Sequence, residues 1–113
     1  MGKYKLSKEI SSDFIDYIIR RRLELRDQAI DEAITCLNNG LSYSVARDIV
    51  HHMTTSHVGQ IIGMYNTAWH FDVVNDDDIE ELCITAVNMF DEDAILESAL
   101  NKMKGKKENG YTA

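Results

Sequence analysis

Proline is absent from the 113 residues of this chain, so no locked φ kinks or ends a helix, and helix termini fall to glycines and side-chain caps. Cysteine is nearly absent. Cys36 and Cys83 stand alone, without the CxxC spacing of zinc or redox sites, and read as reduced core thiols. No stretch approaches the roughly 20 apolar residues of a membrane-spanning helix. The opening Met1-Gly2-Lys3-Tyr4-Lys5-Leu6 carries bases with no apolar run behind them, unlike a signal peptide, so the cytoplasm is the expected location. Also missing are a glycine-rich phosphate loop and a nucleophile elbow. Enzyme activity is therefore not expected, and no cofactor is implied.

What remains is helix-forming. Hydrophobic residues at 44% and charged residues at 27% match a globular chain and argue against disorder over most of its length. The expected fold class is all-α: a compact bundle of about five to six short helices in one domain, residues 1–104, with a flexible polar tail, 105–113. Ser7 caps a first helix to about Arg26, with Ile10, Phe14, Ile18, Leu23 and Leu25 as its apolar stripe. Asp27 caps a second through Asn38, burying Ala29, Ile30, Ala33, Ile34 and Leu37, with Gly40 as a left-handed stop; the two could also be continuous. A third helix runs from Ser42 or Tyr43 to about Met53, carrying Val45, Ile49 and Val50, and Thr54-Thr55-Ser56 interrupts it. A fourth, His57 to Thr67, buries Val58, Ile61, Ile62 and Tyr65 despite Gly59 and Gly63. Ala68 to Asn75 reads as a loop packing Trp69 and Phe71 on the core. Asp76 caps a fifth helix to Phe90, with Ile79, Leu82, Cys83, Ala86, Val87 and Phe90 inward. Asp91-Glu92-Asp93 opens the last, with Ala94, Ile95, Ala99 and Met103 apolar and Lys102 and Lys104 near its end.

The net charge of −7 conceals an uneven distribution. Residues 1–26 hold seven bases against four acids, while Asp27 to Asn101 hold fourteen acids and one base, Arg47. The segment from Lys102 holds four lysines against Glu108. Helices usually mix signs, because opposite charges one turn apart support a helix and like charges oppose it. Giving up that support fits a surface that meets a basic partner, although a merely solubilising acidic face is the plainer reading. Carboxylates one turn apart sit about 5–6 Å apart between Cβ atoms, a spacing of the same order as successive phosphates along a nucleic-acid strand.

Glu32-Ala33-Ile34, followed by Asp48-Ile49 and Met53, preceded by a helix ending in arginines and succeeded by Asp76-Asp77-Asp78-Ile79, resembles the Ocr family of phage DNA-mimic anti-restriction proteins. The likeness covers about residues 10 to 100, in helix order and spacing more than in identities. It implies a helical homodimer whose carboxylates, here those around Glu32, Asp48 and Asp76 to Glu81, fill the DNA-binding groove of a host restriction enzyme. This chain departs from the family in being far less acidic, in ending in lysines in place of an acidic tail, and in lacking a proline at the third helix. Those departures widen the expected target to other nucleic-acid-handling host proteins.

Other constellations are weaker. Ser44 to Ile49 with Thr54 to Val58 has the outline of a helix-turn-helix, but its second helix carries no Lys or Arg for phosphate contacts. Direct nucleic-acid binding is not expected, and Arg20-Arg21-Arg22 more naturally offsets the chain's own acids or sits at a subunit contact. His51, His52, His57 and His70 read as structural or surface residues, since adjacent histidines point to different helix faces. Asp76-Asp77-Asp78 lacks the alternating ligands and glycine of a calcium loop, so no metal is expected.

The leading reading is an acidic inhibitor that occupies a basic nucleic-acid-binding surface of a host protein. Its working residues would be Asp72, Asp76, Asp77, Asp78, Glu80, Glu81, Asp91, Glu92, Asp93 and Glu97. The alternatives are a helical adaptor binding through Met53, Met64, Tyr65 and Trp69, and a transcriptional regulator using the helix-turn-helix-like element.

Overall fold

A computed structural model describes residues 6–110, with side chains to residue 105. The chain is all-helical across that span, with α1 (Lys8–Asn38), α2 (Tyr43–His70), α3 (Asp76–Met89) and α4 (Glu92–Gly110). Four helices, two of them long, replace the five to six short ones expected. Asp27 caps nothing. The buried residues of α1, namely Ile18, Leu25, Ala29, Ile30, Ala33 and Cys36, run as one stripe across the expected joint, and an unbroken helix avoids a second pair of ends with unpaired backbone groups.

Thr54-Thr55-Ser56 likewise interrupts nothing. The Thr54 and Thr55 hydroxyls donate to the carbonyl of His51 at 3.1 and 2.8 Å, the local back-bonding that seats these residues inside a helix. The buried residues of α2, Ala46, Val50, Thr54, His57, Ile61, Tyr65 and Ala68, repeat in steps of four, four and three. That period of about 3.67 stays close to the 3.6 of a straight helix, so one face stays buried along the full length.

The ends follow local chemistry. Ser7 and Ser42 accept hydrogen bonds from the amides of Ile10 and Val45, each at 3.2 Å. Gly40 at φ +82° closes α1, with Gly40 N–H donating to Leu37 and Leu41 N–H to Cys36, the paired bonds of a Schellman stop. Asp72, at φ +62°, takes the equivalent position after α2, with Asp72 N–H donating to Trp69 and Val73 N–H to Ala68. The cap of α3 is Asn75, whose Oδ1 accepts from Asp78 N–H at 2.9 Å, and not Asp76. Asp91 caps α4 through Ala94 N–H at 3.0 Å. The α4 backbone continues past Gly105, where the tail was expected to begin, to Gly110; the rest of that tail lies outside the described residues.

The helices α1 and α2 form an antiparallel hairpin. Trp69 bonds to Asp76 and the His57 ring lies 6.0 Å from that of Phe90, so α3 runs back along α2. Arg47 meets Glu92 at 3.1 Å, and α4 continues along the half of the hairpin next to its turn. The molecule measures 54 × 30 × 18 Å with a radius of gyration of 17.3 Å, against about 13 Å for a compact domain of this size. It is elongated, not the compact bundle expected.

Two clusters make the core. Ala29, Ile30, Ala33, Ala46, Val50, Ile95, Leu96 and Ala99 pack α1, α2 and α4 near the turn. Ile18, Leu25, Ile61, Tyr65, Ala68, Val74, Ala86 and Phe90 join α1, α2 and α3 at the far end. Several expected core residues are exposed instead: Ile10, Leu23, Val45 and Val87, while Leu96 and Ala46 are fully buried. Trp69 and Phe71 are half-buried, and Val74 fills the core in their place. Cys36 is buried and Cys83 half-buried; both are free thiols.

Candidate functional site

The acids of α3 stand where helix geometry sends them outward. Ile79, Leu82, Cys83 and Ala86 turn toward α2, leaving Asp76, Asp77, Asp78, Glu80 and Glu81 exposed. Asp76–Glu80 and Asp77–Glu81 are like-charge pairs one turn apart, which oppose the helix. The positive end of the helix dipole offsets that repulsion in the first turn. Asp76 accepts a hydrogen bond from the Trp69 indole, which holds its carboxyl below the usual range. Among the described residues, Asp72, Asp77, Asp78, Glu80, Glu81 and Glu97 make no ion pair.

The second acidic group, Asp91, Glu92, Asp93 and Glu97, is partly neutralised. Arg47 reaches Glu92 at 3.1 Å and Asp93 at 2.9 Å, and His51 Nδ1 lies 3.6 Å from Glu92. Tyr43 donates to Asp93 at 3.3 Å. The hydrogen bond from Arg47 lowers the Asp93 carboxyl and raises the guanidinium in turn. The only base between Asp27 and Asn101 is thus the tether of α4 to α2, a role its isolation in the sequence could have signalled.

The ten acids therefore form two groups. The second half of α3 separates Glu81 from Asp91, which stands past its end, and residues 82–90 carry no formal charge. The α1 arginines reach none of the ten: Arg20 lies over Tyr17 at 6.0 Å, Arg21 pairs with Glu24 at 3.5 Å, and Arg22 and Arg26 donate to the hydroxyls of Tyr65 and Ser98. Glu32, half-buried beside Cys36, and Asp48 lie in the half of the hairpin near its turn, away from the start of α3.

The helix-turn-helix outline does not survive, because residues 43–70 form one helix without a turn. Of the apolar residues expected to bind a partner, Tyr65 is buried and Met53, Met64 and Trp69 are half-buried. Among the described residues the exposed large apolar side chains are others: Ile10, Tyr17, Ile19 and Leu23 on α1, Leu41, Tyr43 and Val45 at the hairpin turn and the start of α2, Ile84 and Val87 on α3, and Leu100 on α4. Among the described residues no group of three histidine, cysteine or acidic side chains could hold a metal, and no helix is long and apolar enough to cross a membrane.

His57 sits at the seam between the two core clusters, 8% exposed, with neither ring nitrogen hydrogen-bonded. Burial, and then the Arg21 guanidinium, push its pKa below the ordinary 6.5. As pH falls the unfolded chain therefore takes up the proton first. The resulting stability is fully present above about 6.5 and is lost as pH descends through the depressed folded value. The melting temperature should fall between about pH 7 and pH 5, and His57→Leu should flatten that slope; an unchanged slope would assign it to other groups.

Searches against protein-family models, curated proteins and solved structures return no match to this chain.

Proposed function

We propose that the chain is a non-enzymatic acidic binding protein that occupies a basic, nucleic-acid-binding surface of a host protein and inhibits it. The observation that supports this is the set of six exposed carboxylates, Asp72, Asp77, Asp78, Glu80, Glu81 and Glu97, left without an ion pair among the described residues although α1 carries four arginines. Self-repulsion of this kind weakens a fold, and a basic partner relieves it. The contact is narrower than a continuous phosphate ladder, because the acids divide into two groups and Arg47 occupies part of the second. The start of α3 is its strongest part.

Immobilised protein should capture basic nucleic-acid-binding proteins from host lysate, releasing them steeply as salt rises. Asp77→Lys, Glu80→Lys and Glu81→Lys combined should lower capture by about a hundredfold or more. Salt-insensitive capture that survives the triple reversal would sink the reading. A second reading, an adaptor that binds through apolar surface, is favoured by the open groove between α1 and α2 lined by Phe14, Tyr17 and Met64. Binding there would persist in high salt and fail on Tyr17→Ala.

A further inference from the structure

The surface between the two acidic groups is uncharged, and Ile84 and Val87 form an apolar strip on it beside the polar Thr85 and Asn88. Ile84 and Val87, one turn apart on α3, are 53% and 49% exposed. Glu80, Ile84 and Val87 follow one another at four- and three-residue steps, so they share one face of α3, while Asp91, past the end of that helix as the cap of α4, borders the same cavity as Val87. Beside this stripe, the groove between α2 and α3 opens into a cavity of about 240 Å³, lined by Val58, Val87 and Phe90 together with His51, Asp91 and Glu92.

A face that only solubilises, or only imitates phosphates, gains nothing from two half-exposed aliphatic side chains beside an apolar cavity. An apolar centre with charges at its edges is instead the arrangement of a protein-binding hot spot, in which the rim keeps water from the anchor. We propose that this face binds an amphipathic basic helix of a partner protein. The partner's apolar side chains rest on Ile84 and Val87 and enter the cavity, and its arginines or lysines engage Glu80 at one end and Asp91 at the other. The inference rests on the acidic-partner reading and deepens it by naming the kind of basic partner segment this face takes.

The test uses the full chain and two fluorescent peptides of identical composition, each about five turns long. In one, apolar residues line a single face between terminal arginines; in the other, the order is shuffled so that no face is apolar. Fluorescence anisotropy at moderate salt should show the patterned peptide binding about tenfold tighter or more. Ile84→Ser combined with Val87→Ser should erase that preference and leave the shuffled peptide's affinity unchanged, with a melting curve to confirm that the variant folds. Equal or weaker binding of the patterned peptide, or a preference that survives the double variant, overturns this inference. Equal, salt-sensitive binding of both peptides overturns it while leaving the broader acidic reading in place; no binding of either peptide at low salt overturns both.

Discussion

Leu96→Ala is expected to destabilise the fold by about 2–5 kcal/mol, and Ile18→Ala by a similar amount. Leu96 is fully buried among α1, α2 and α4, and Ile18 is fully buried in the other cluster. Truncating either removes apolar contact and leaves a cavity whose walls belong to long helices that cannot collapse locally. The two sites share no packing partners, so the double variant should show the sum of the single effects to within about 0.5 kcal/mol. Against a total of about 5–15 kcal/mol for an ordinary domain, that sum removes a large part of the stability. Urea denaturation reads it directly, as midpoints that shift at constant slope. A double variant no worse than the weaker single would mean that the clusters already unfold separately, despite the two helices that run through both.

The position of the polar residues in α2 explains why so much of the fold was legible and where reading failed. Ser7, Ser42 and Gly40 announced their ends, because a hydroxyl cap and a left-handed glycine are local events that need no tertiary context. Thr54 and His57 misled, since they occupy two steps of the buried stripe with polar side chains and hide its continuity between Val50 and Ile61. Asp72 misled in the opposite sense: an exposed acid near others, it is also the left-handed residue that closes α2, a role usually given to glycine. The acids of α3 were legible as exposed residues, because Ile79, Leu82, Cys83 and Ala86 define the opposite face. Their division from the α4 group stands in the uncharged run 82–90, but the apolar strip on it was hidden, as it depends on Ile84 and Val87 facing outward. Leu96 was missed because Ile95 and Ala99 already supplied a stripe, and only the wedge of α4 between α1 and α2 buries a second row.

Gly59→Ala combined with Gly63→Ala should raise stability by up to about 2 kcal/mol, because a helix-interior glycine costs about 1 kcal/mol relative to alanine. Both glycines lie in the middle of α2, and a Cβ built at either meets no heavy atom within 4 Å, so the gain is not offset by a clash. The hydrogen bond from Thr67 Oγ1 to the carbonyl of residue 63, at 2.9 Å, uses only backbone there and survives the change. For a chain of this size the melting temperature should rise by roughly 8 °C. Gly40→Ala should move it the other way, by about 1 kcal/mol or more, although a Cβ at position 40 also meets nothing within 4 Å. The difference lies in the backbone: Gly40 holds φ +82°, where an L side chain meets its own carbonyl, while positions 59 and 63 are helical. Melting curves of the two variants should therefore separate in opposite directions from wild type. A loss of stability in the double alanine variant would show that α2 departs from a regular helix at its glycines, and with it the single straight stripe on which both core clusters are built.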